Sequence, residues 1–538
     1  MTGVPHAGPN LRAAPLFFGA GFLGGFFYSM DANALYMIAT IAVYLVGMIL
    51  VGVFLSKKNE TTADFYLGGR KMGPFVTAMS AEASDMSSYL LMGLPGLAYL
   101  SGCCEVGWTA IGLAVGTYLN WLIVARRLRR YSSNLGAITL PDFFSRRFHD
   151  RSNLLNAVSA LIILIFFVPY TASGFAACGK LFHSLFGADY MTAMILSALV
   201  IVGYTITGGF FAVSTTDLIQ SIVMTVALIS VLGYGVISAG GWNAVVENAA
   251  SLPGYLSLSA SHDPVSGTAQ PYSFISILST LAWGLGYFGM PHILLRFMAI
   301  RDEKELVLSR RIATFWVVIA MGVAVLIGIV GLGMTAAGRV EFLAGSDSET
   351  IIVRIAELIS RHGVAAALLA GLVLAGILAA TMSTADSQML AAASSVSQNI
   401  LQDFGGLKLS AAQSLRVARL TIVGIAAIGI LLARDPDSSV FGIVSFAWAG
   451  FGGAFGAVML CALFWKRATS QGALAGMVVG GVMIFVWKYA VRPLGGIWDI
   501  YELLPAFLLS LLTVVVVSLL SPAPDKAMAD EFEAAAKS

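Results

Sequence analysis

Ser80-Ala-Glu-Ala-Ser-Asp-Met-Ser-Ser88, continued by Tyr89-Leu-Leu-Met-Gly-Leu-Pro-Gly96, is the stretch that decides the fold. It puts Glu82, Asp85 and four serines in the middle of an apolar run spanning 73–101. A carboxylate inside a membrane helix costs about 2.5–3.5 kcal/mol on insertion scales, so it faces a cavity, pairs with a cation or binds an ion. Ser and Asp also compete for backbone hydrogen bonds and loosen a helix locally. Gly93, Pro95 and Gly96 follow within a turn or two. The stretch reads as a helix broken near the bilayer centre, with free carbonyls able to ligate a cation and half-helix ends able to hold a charged solute.

A matching break lies further along, Trp283-Gly-Leu-Gly-Tyr-Phe-Gly-Met-Pro-His292, where three glycines and a proline interrupt another apolar run. Apolar runs long enough to cross a bilayer number thirteen: 33–56, 73–101, 105–128, 152–182, 189–208, 215–239, 273–294, 308–338, 363–398, 412–433, 439–464, 470–490 and 502–521. The broken runs are the second and the seventh. Five apart, they predict two five-helix repeats, 73–239 and 273–464, with a site at their interface. Around them the reading places an N-terminal extension (1–32), a peripheral first helix (33–56), an outer loop (240–272), two peripheral helices (470–521) and a tail (522–538). Segment 15–28 is apolar but too short to span, and it lacks the pattern of a cleaved signal peptide.

The composition agrees. Of 538 residues, 58% are hydrophobic and 11% charged, against about 25% charged in soluble domains. Mean hydropathy is +0.84. Soluble enzymes, nucleic-acid binders and disordered scaffolds are excluded. With the N-terminus outside, 23 of the 31 Lys and Arg residues fall in cytoplasmic segments, Arg296 counted among them. The positive-inside rule therefore sets the C-terminus in the cytoplasm. The loop 240–272, free of Lys and Arg, supports this. Cys103, Cys104, Cys178 and Cys461 have no metal or disulfide spacing and read as packing residues.

A third polar locus is Thr381-Met-Ser-Thr-Ala-Asp-Ser387, where Ser383, Asp386 and Ser387 share a helical face. Hydroxyls, carboxylates and carbonyls are hard donors and suit Na⁺. Asp217 is a further carboxylate within an apolar run. The alternative for each intramembrane acid is a structural pair with a basic or backbone partner.

At these residues the chain resembles the sodium/solute symporter family. LGGR (67–70), SAEASDMSSYLLMGLPG (80–96), GWTAIGLAVGTYLNW (107–121), TLPDFFSRRF (139–148), WGLGYFGMPHILLRFMA (283–299), ILAATMST (377–384) and SFAWAGFGGAFG (445–456) carry the likeness, which runs from residue 34 to 521. It implies an all-α, leucine-transporter-like membrane fold of thirteen helices with a 5+5 inverted repeat. It also implies Na⁺-driven symport in a bacterial inner membrane with no organic cofactor. By motif, the sodium site falls on the carbonyls of Ala83, Met86 and Ala380 and the hydroxyls of Ser383 and Thr384. The essential aspartate falls on Asp85, and an arginine that couples ion flow at the cytoplasmic mouth falls on Arg70.

The likeness is greatest to the family's proline carriers, which implies L-proline as cargo, held by Ser87, Ser88, Tyr89, Tyr170, Trp283, Tyr287, Met290 and Pro291. Trp283 and Tyr287, at i and i+4, share a face that can hold the pyrrolidine ring and attract its ammonium. Those carriers have Gly, Trp and Gln where this chain has Ser88, Tyr89 and Met290. Another small amino acid, a monocarboxylate, pantothenate or a compatible solute is the alternative cargo. Glu82 replaces a small residue; it bonds an Arg or Lys or tunes ion affinity. A second sodium position would use Asp217, Ser383, Asp386 and Ser387; the alternative is two acids sharing one proton. A sensor is disfavoured because the tail is too short for a signalling domain, a channel because no filter-like loop is seen. No catalytic motif is present. A single chain is expected to suffice, in contact with its solute and membrane lipid and without nucleic acid.

Overall fold

Each long apolar run condenses into helix, because in lipid the backbone must satisfy its own hydrogen bonds. The computed structural model describes residues 31–56 and 62–536, so segment 15–28 lies outside the described residues. In chain order come α1 (Ala32–Ser56), α2 (Thr62–Leu67), α3 (Pro74–Ser88), α4 (Leu94–Ser101), α5 (Cys103–Leu119), α6 (Ala125–Asn134), α7 (Leu140–Arg147), α8 (Leu154–Phe186), α9 (Tyr190–Thr207), α10 (Phe210–Ser238) and α11 (Trp242–Ser251). After a hairpin, β1 (Ala260–Asp263) and β2 (Thr268–Pro271), follow α12 (Phe274–Leu281), α13 (Pro291–Ala299), α14 (Leu306–Ala336), α15 (Ile351–Ser360), α16 (Val364–Ser394), α17 (Ala411–Leu432), α18 (Val440–Phe451), α19 (Ala457–Phe464), α20 (Ser470–Val486), α21 (Leu503–Leu520) and α22 (Lys526–Ala536).

Among the described residues ten helices are long and apolar enough to cross a membrane, or eleven when the bent pair Phe274–Phe288 and Pro291–Ala299 counts as one span. All thirteen expected runs are helical. The two beyond that count are 73–101, divided at Ser87, and 189–208, whose apolar helix is Tyr190–Ile206.

The central helix is α16, buried along most of its length and packed against α1, α3, α8 and α10. Close approach at the second break depends on glycine. A Cβ on Gly284 would sit 2.3 Å from the Gly112 carbonyl oxygen, and one on Gly116 2.5 Å from Gly284 Cα, so α5 lies directly on the broken segment. The loop 240–272 folds as α11 plus the antiparallel hairpin, with Ala260 opposite Pro271. It is pinned where the Tyr255 hydroxyl donates to the Ala98 and Tyr99 carbonyls (2.8 and 3.1 Å) and Trp108 Nε1 donates to the Leu258 carbonyl (2.7 Å).

At the opposite end α22 docks through Phe532, whose ring lies 4.7 Å from the Arg127 guanidinium and 5.1 Å from that of Arg147. His149 meets Glu531 at 2.9 Å, and Lys466 pairs with Glu533. The tail therefore joins α6, α7 and the end of α19.

Candidate transport site

The first break is at Ser87, whose φ of 47° and ψ of −170° leave the helical region. A non-glycine residue at positive φ costs of order 1–3 kcal/mol and persists only when its surroundings hold it. Here the Ser87 side chain accepts the Tyr89 N–H at 3.1 Å, and a π-helical turn, Tyr89–Gly93, leads into α4. The second break is a 3₁₀ segment, Ala282–Phe288, then an extended Met290 and a restart at Pro291, with the halves bent by 44°. Proline opens the new helix where its missing N–H costs nothing.

Asp85 is buried on α3. The Tyr287 hydroxyl donates to its Oδ2 at 2.5 Å, and the Tyr170 hydroxyl donates to its backbone carbonyl at 3.2 Å. One aspartate thus ties together both breaks and α8. Ser383 of α16 donates to the Ala83 carbonyl at 2.8 Å and lies 3.2 Å from the Ala380 carbonyl, while Thr384 donates to Ala380 at 3.1 Å. Four of the five expected sodium donors are therefore in one place. Met86 sits on the last turn before the break, where its carbonyl accepts the Tyr89 N–H.

Ser87, Ser88 and Tyr170 line a narrow cavity between α3, α8 and α16, closed in this conformation to the point that it has no room for a water; Thr171, Ser173, Gly174, Thr381, Thr384, Ala385 and Gln388 complete it. Trp283 does not line it. Its ring stacks on Tyr89 (5.7 Å), Tyr501 (5.1 Å) and Trp448 (6.2 Å). Because the segment is 3₁₀, Trp283 and Tyr287 do not share an α-helical face, yet both rings meet Trp448, which also donates Nε1 to the Trp283 carbonyl at 2.8 Å. Met290 and Pro291 are fully buried at the restart of the helix and lie outside the cavity wall.

Arg296 is not a cytoplasmic loop charge. It is 1% exposed on α13 and donates to Ser80 Oγ (3.0 Å), Asp217 Oδ2 (3.1 Å), Ser387 Oγ (2.5 Å) and the His292 carbonyl (2.8 Å). Asp386 accepts from Ser387 at 3.3 Å. A guanidinium therefore stands beside Asp217, Asp386 and Ser387, the place expected for a second sodium, while the Ser383 hydroxyl is committed to Ala83. The partner of Glu82 is the Trp121 indole (Nε1 to Oε1, 3.0 Å) rather than an Arg or Lys.

Arg70 donates to the Met298 carbonyl (2.7 Å), the Ser132 hydroxyl and carbonyl (3.2 and 3.0 Å) and the Ala137 carbonyl (2.7 Å), stitching the ends of α13 and α6. Burial, with Arg129 adding repulsion, pushes its pKa down to about 10. Sequence reasoning missed Gln388, though it lies one turn beyond Thr384 on the same face. It also missed Trp448, Tyr501 and the buried pair of Lys180 with Glu349 (2.9 Å), in which Glu349 also takes the Val440 and Phe441 N–H groups of α18.

The sodium:solute symporter family model matches residues 65–480. The chain is 41% identical to a sodium/proline symporter of Salmonella typhimurium over 92% of this chain and 95% of that protein. It is 42% identical to one of Haemophilus influenzae (93% and 97%) and 40% identical to an osmoregulated proline transporter of Bacillus subtilis (91% and 96%). Among solved structures it resembles a substrate-bound, outward-open Na⁺-coupled sialic acid symporter, with TM-score 0.75, 19% identity and coverage of 91% and 99%. It also resembles a closed nucleobase-cation-symport-1 family transporter, with TM-score 0.53, 15% identity and coverage of 87% and 98%. These likenesses show a leucine-transporter-like fold.

Proposed function

The chain belongs to the sodium:solute symporter family, and on that premise we propose that it imports L-proline together with Na⁺ by alternating access. It is a secondary transporter and not an enzyme. The observation that carries the mechanism is the Ser383 hydroxyl 2.8 Å from the Ala83 carbonyl, which puts hydroxyl and carbonyl donors from α16 and α3 around one point next to the break. Na⁺ bound by Ala83, Met86, Ala380, Ser383 and Thr384 fixes the end of α3. That fixes Ser87 and Ser88 in the cavity wall, so the ion raises solute affinity, and by linkage the solute raises Na⁺ affinity equally. Inward Na⁺ movement gains about 2.3 kcal/mol per charge per 100 mV. Asp85 attracts the solute ammonium, while Tyr170 supplies the aromatic side of the cavity for the ring, and Tyr287, Trp283 and Tyr89 pack together at the second break.

With the N-terminus outside, Arg70 lies at the cytoplasmic mouth and closes it by binding four groups, three on α6 and α13 and one on the turn after α6. Arg296 supplies the positive charge for Asp217 and Asp386, which favours a single transported Na⁺ over two.

The test is radiolabelled L-proline uptake into proteoliposomes under an inward Na⁺ gradient and an equal K⁺ gradient. The expected result is uptake that requires Na⁺, is displaced by unlabelled proline and is lost in Asp85→Ala. No Na⁺-driven uptake of labelled proline, with Na⁺-driven uptake of a different labelled solute, would refute proline while keeping the coupling.

A further inference from the structure

The cavity between α3, α8 and α16 is rich in hydroxyls, and nearly all of them are committed. Ser173 donates to the Tyr170 carbonyl, Thr381 to Ile377 and Thr384 to Ala380, and Ser87 accepts from Tyr89. Thr171 donates to Gln388 Oε1 at 3.2 Å. That bond fixes the amide with its NH₂ group turned away from Thr171. Two polar groups in the wall keep no partner, Gln388 Nε2 and Ser88 Oγ. Both residues are 0% exposed.

A buried donor without an acceptor is costly, and a site built around one selects ligands that supply the missing acceptor. The free groups here are an amide NH₂ and a hydroxyl, and both can donate. On the same broken helix the charge requirement is reversed. Asp85 keeps Oδ1 without a donor, while its backbone carbonyl holds the hydroxyl of cavity-lining Tyr170.

We propose that Gln388 Nε2 and Ser88 Oγ are the donors that receive the carboxylate of the transported solute, and that they orient it with its ammonium toward Asp85. The inference rests on the reading of the cargo as a small zwitterionic amino acid. It makes Gln388 a substrate-contacting residue one helical turn from the sodium donor Thr384. Ion and solute sites would then share α16, and the Thr171 hydroxyl would be a positioning group for the amide. It also gives Ser88 a role: its hydroxyl adds a donor where a glycine would offer none.

The experiment measures competition against labelled L-proline by unlabelled L-proline and by L-prolinamide, which differ only at the carboxylate. Wild type, Gln388→Leu, Gln388→Glu and Ser88→Ala are compared in proteoliposomes at saturating Na⁺. Na⁺-induced thermal stabilisation without solute is recorded in parallel. The wild type should prefer proline. Gln388→Leu should reduce that preference about tenfold to a hundredfold, the loss of a hydrogen bond to a charged group. Gln388→Glu should go further, since its carboxylate repels proline and accepts from prolinamide. Na⁺ stabilisation without solute should stay at the wild-type level in each variant. Should Gln388→Leu not fold, Ser88→Ala removes one oxygen only and is expected to lower the preference in the same direction. A proline-to-prolinamide ratio unchanged in the folded variants overturns the inference while wild-type proline uptake stands. So does a fall in Na⁺ stabilisation that accounts for all the lost affinity. A wild type that takes up no labelled proline under a Na⁺ gradient overturns the inference and the proline reading together.

Discussion

Ser383 touches both the broken helix and its own helix, which makes it the most direct probe of the ion site. Ser383→Ala removes one donor oxygen and one hydrogen bond across the break. The Na⁺ half-saturation constant should rise about tenfold, the value of one lost contact of about 1.4 kcal/mol, with uptake recovered at high Na⁺. An unchanged Na⁺ dependence would remove Ser383 from the site. Arg70 gives a pH prediction. Its pKa is lowered from the ordinary arginine range to about 10, so it remains charged at neutral pH. The folded protein holds this proton less tightly than the unfolded chain, so Arg70 adds no pH dependence below about pH 9, and its contribution to stability rises as pH climbs past about 10. Arg70→Lys uptake, divided by wild type, should be flat from pH 6 to 8. Asp85 and Ser383 were legible in the sequence because a carboxylate or a run of hydroxyls in an apolar stretch must have a partner. Arg296 was not, because an arginine near the end of a span reads as a cytoplasmic charge until the bend of α13 turns it inward. Gln388 carries no charge and so raised no such flag.

The second break depends on how closely α18 lies against it. A Cβ on Gly286 would stand 2.0 Å from Trp448 Nε1, and one on Gly289 2.2 Å from the Phe451 carbonyl oxygen. Gly286→Ala must therefore displace Trp448 and its bond to Trp283. The variant should insert in the membrane yet lose most proline uptake, and Gly286→Ala with Trp448→Phe should recover part of it; full activity in the single variant would contradict the packing. The Arg296 cluster joins α3, α10, α13 and α16. Arg296→Met leaves Asp217 buried and uncompensated, a cost of about 3–5 kcal/mol, whereas Arg296→Met with Asp217→Leu removes both members of the pair, leaves the cluster's net charge as it was and should regain much of the thermal stability. Thermal unfolding in detergent separates the two. Both breaks were visible at this scale because Gly and Pro interrupt apolar runs. Their different forms were not: positive φ at Ser87 in one, a 3₁₀ turn in the other. Each is fixed by tertiary contacts, Tyr170 and Ser383 at the first, α5 and Trp448 at the second.

Across the whole molecule, the C-terminal helix α22 clamps the ends of α6, α7 and α19. Phe532→Ala removes the ring held between Arg127 and Arg147, so hydrogen exchange should speed up in 125–150 while the outer hairpin 260–271 keeps its wild-type rate. Equal rates in both regions would mean that the tail fastens nothing. The order of the apolar runs, and the breaks in the second and the seventh, could be read from the sequence because lipid forces apolar runs into helices and Gly and Pro interrupt them. The docking of the tail could not, since a short amphipathic end carries no pattern that names its partner. The stack of Trp283 on Tyr501 has a further meaning. Tyr501 belongs to the turn before α21, and Gly453 lies so close to α20 that a Cβ on Gly480 would meet its carbonyl at 2.0 Å. A chain ending at residue 464 would keep both breaks and the Ser383–Ala83 contact, but one flank of Trp283 would be bare. The second break is thus completed from outside its own helix, and shortening the chain from this end would loosen Trp283 before it touched the break itself.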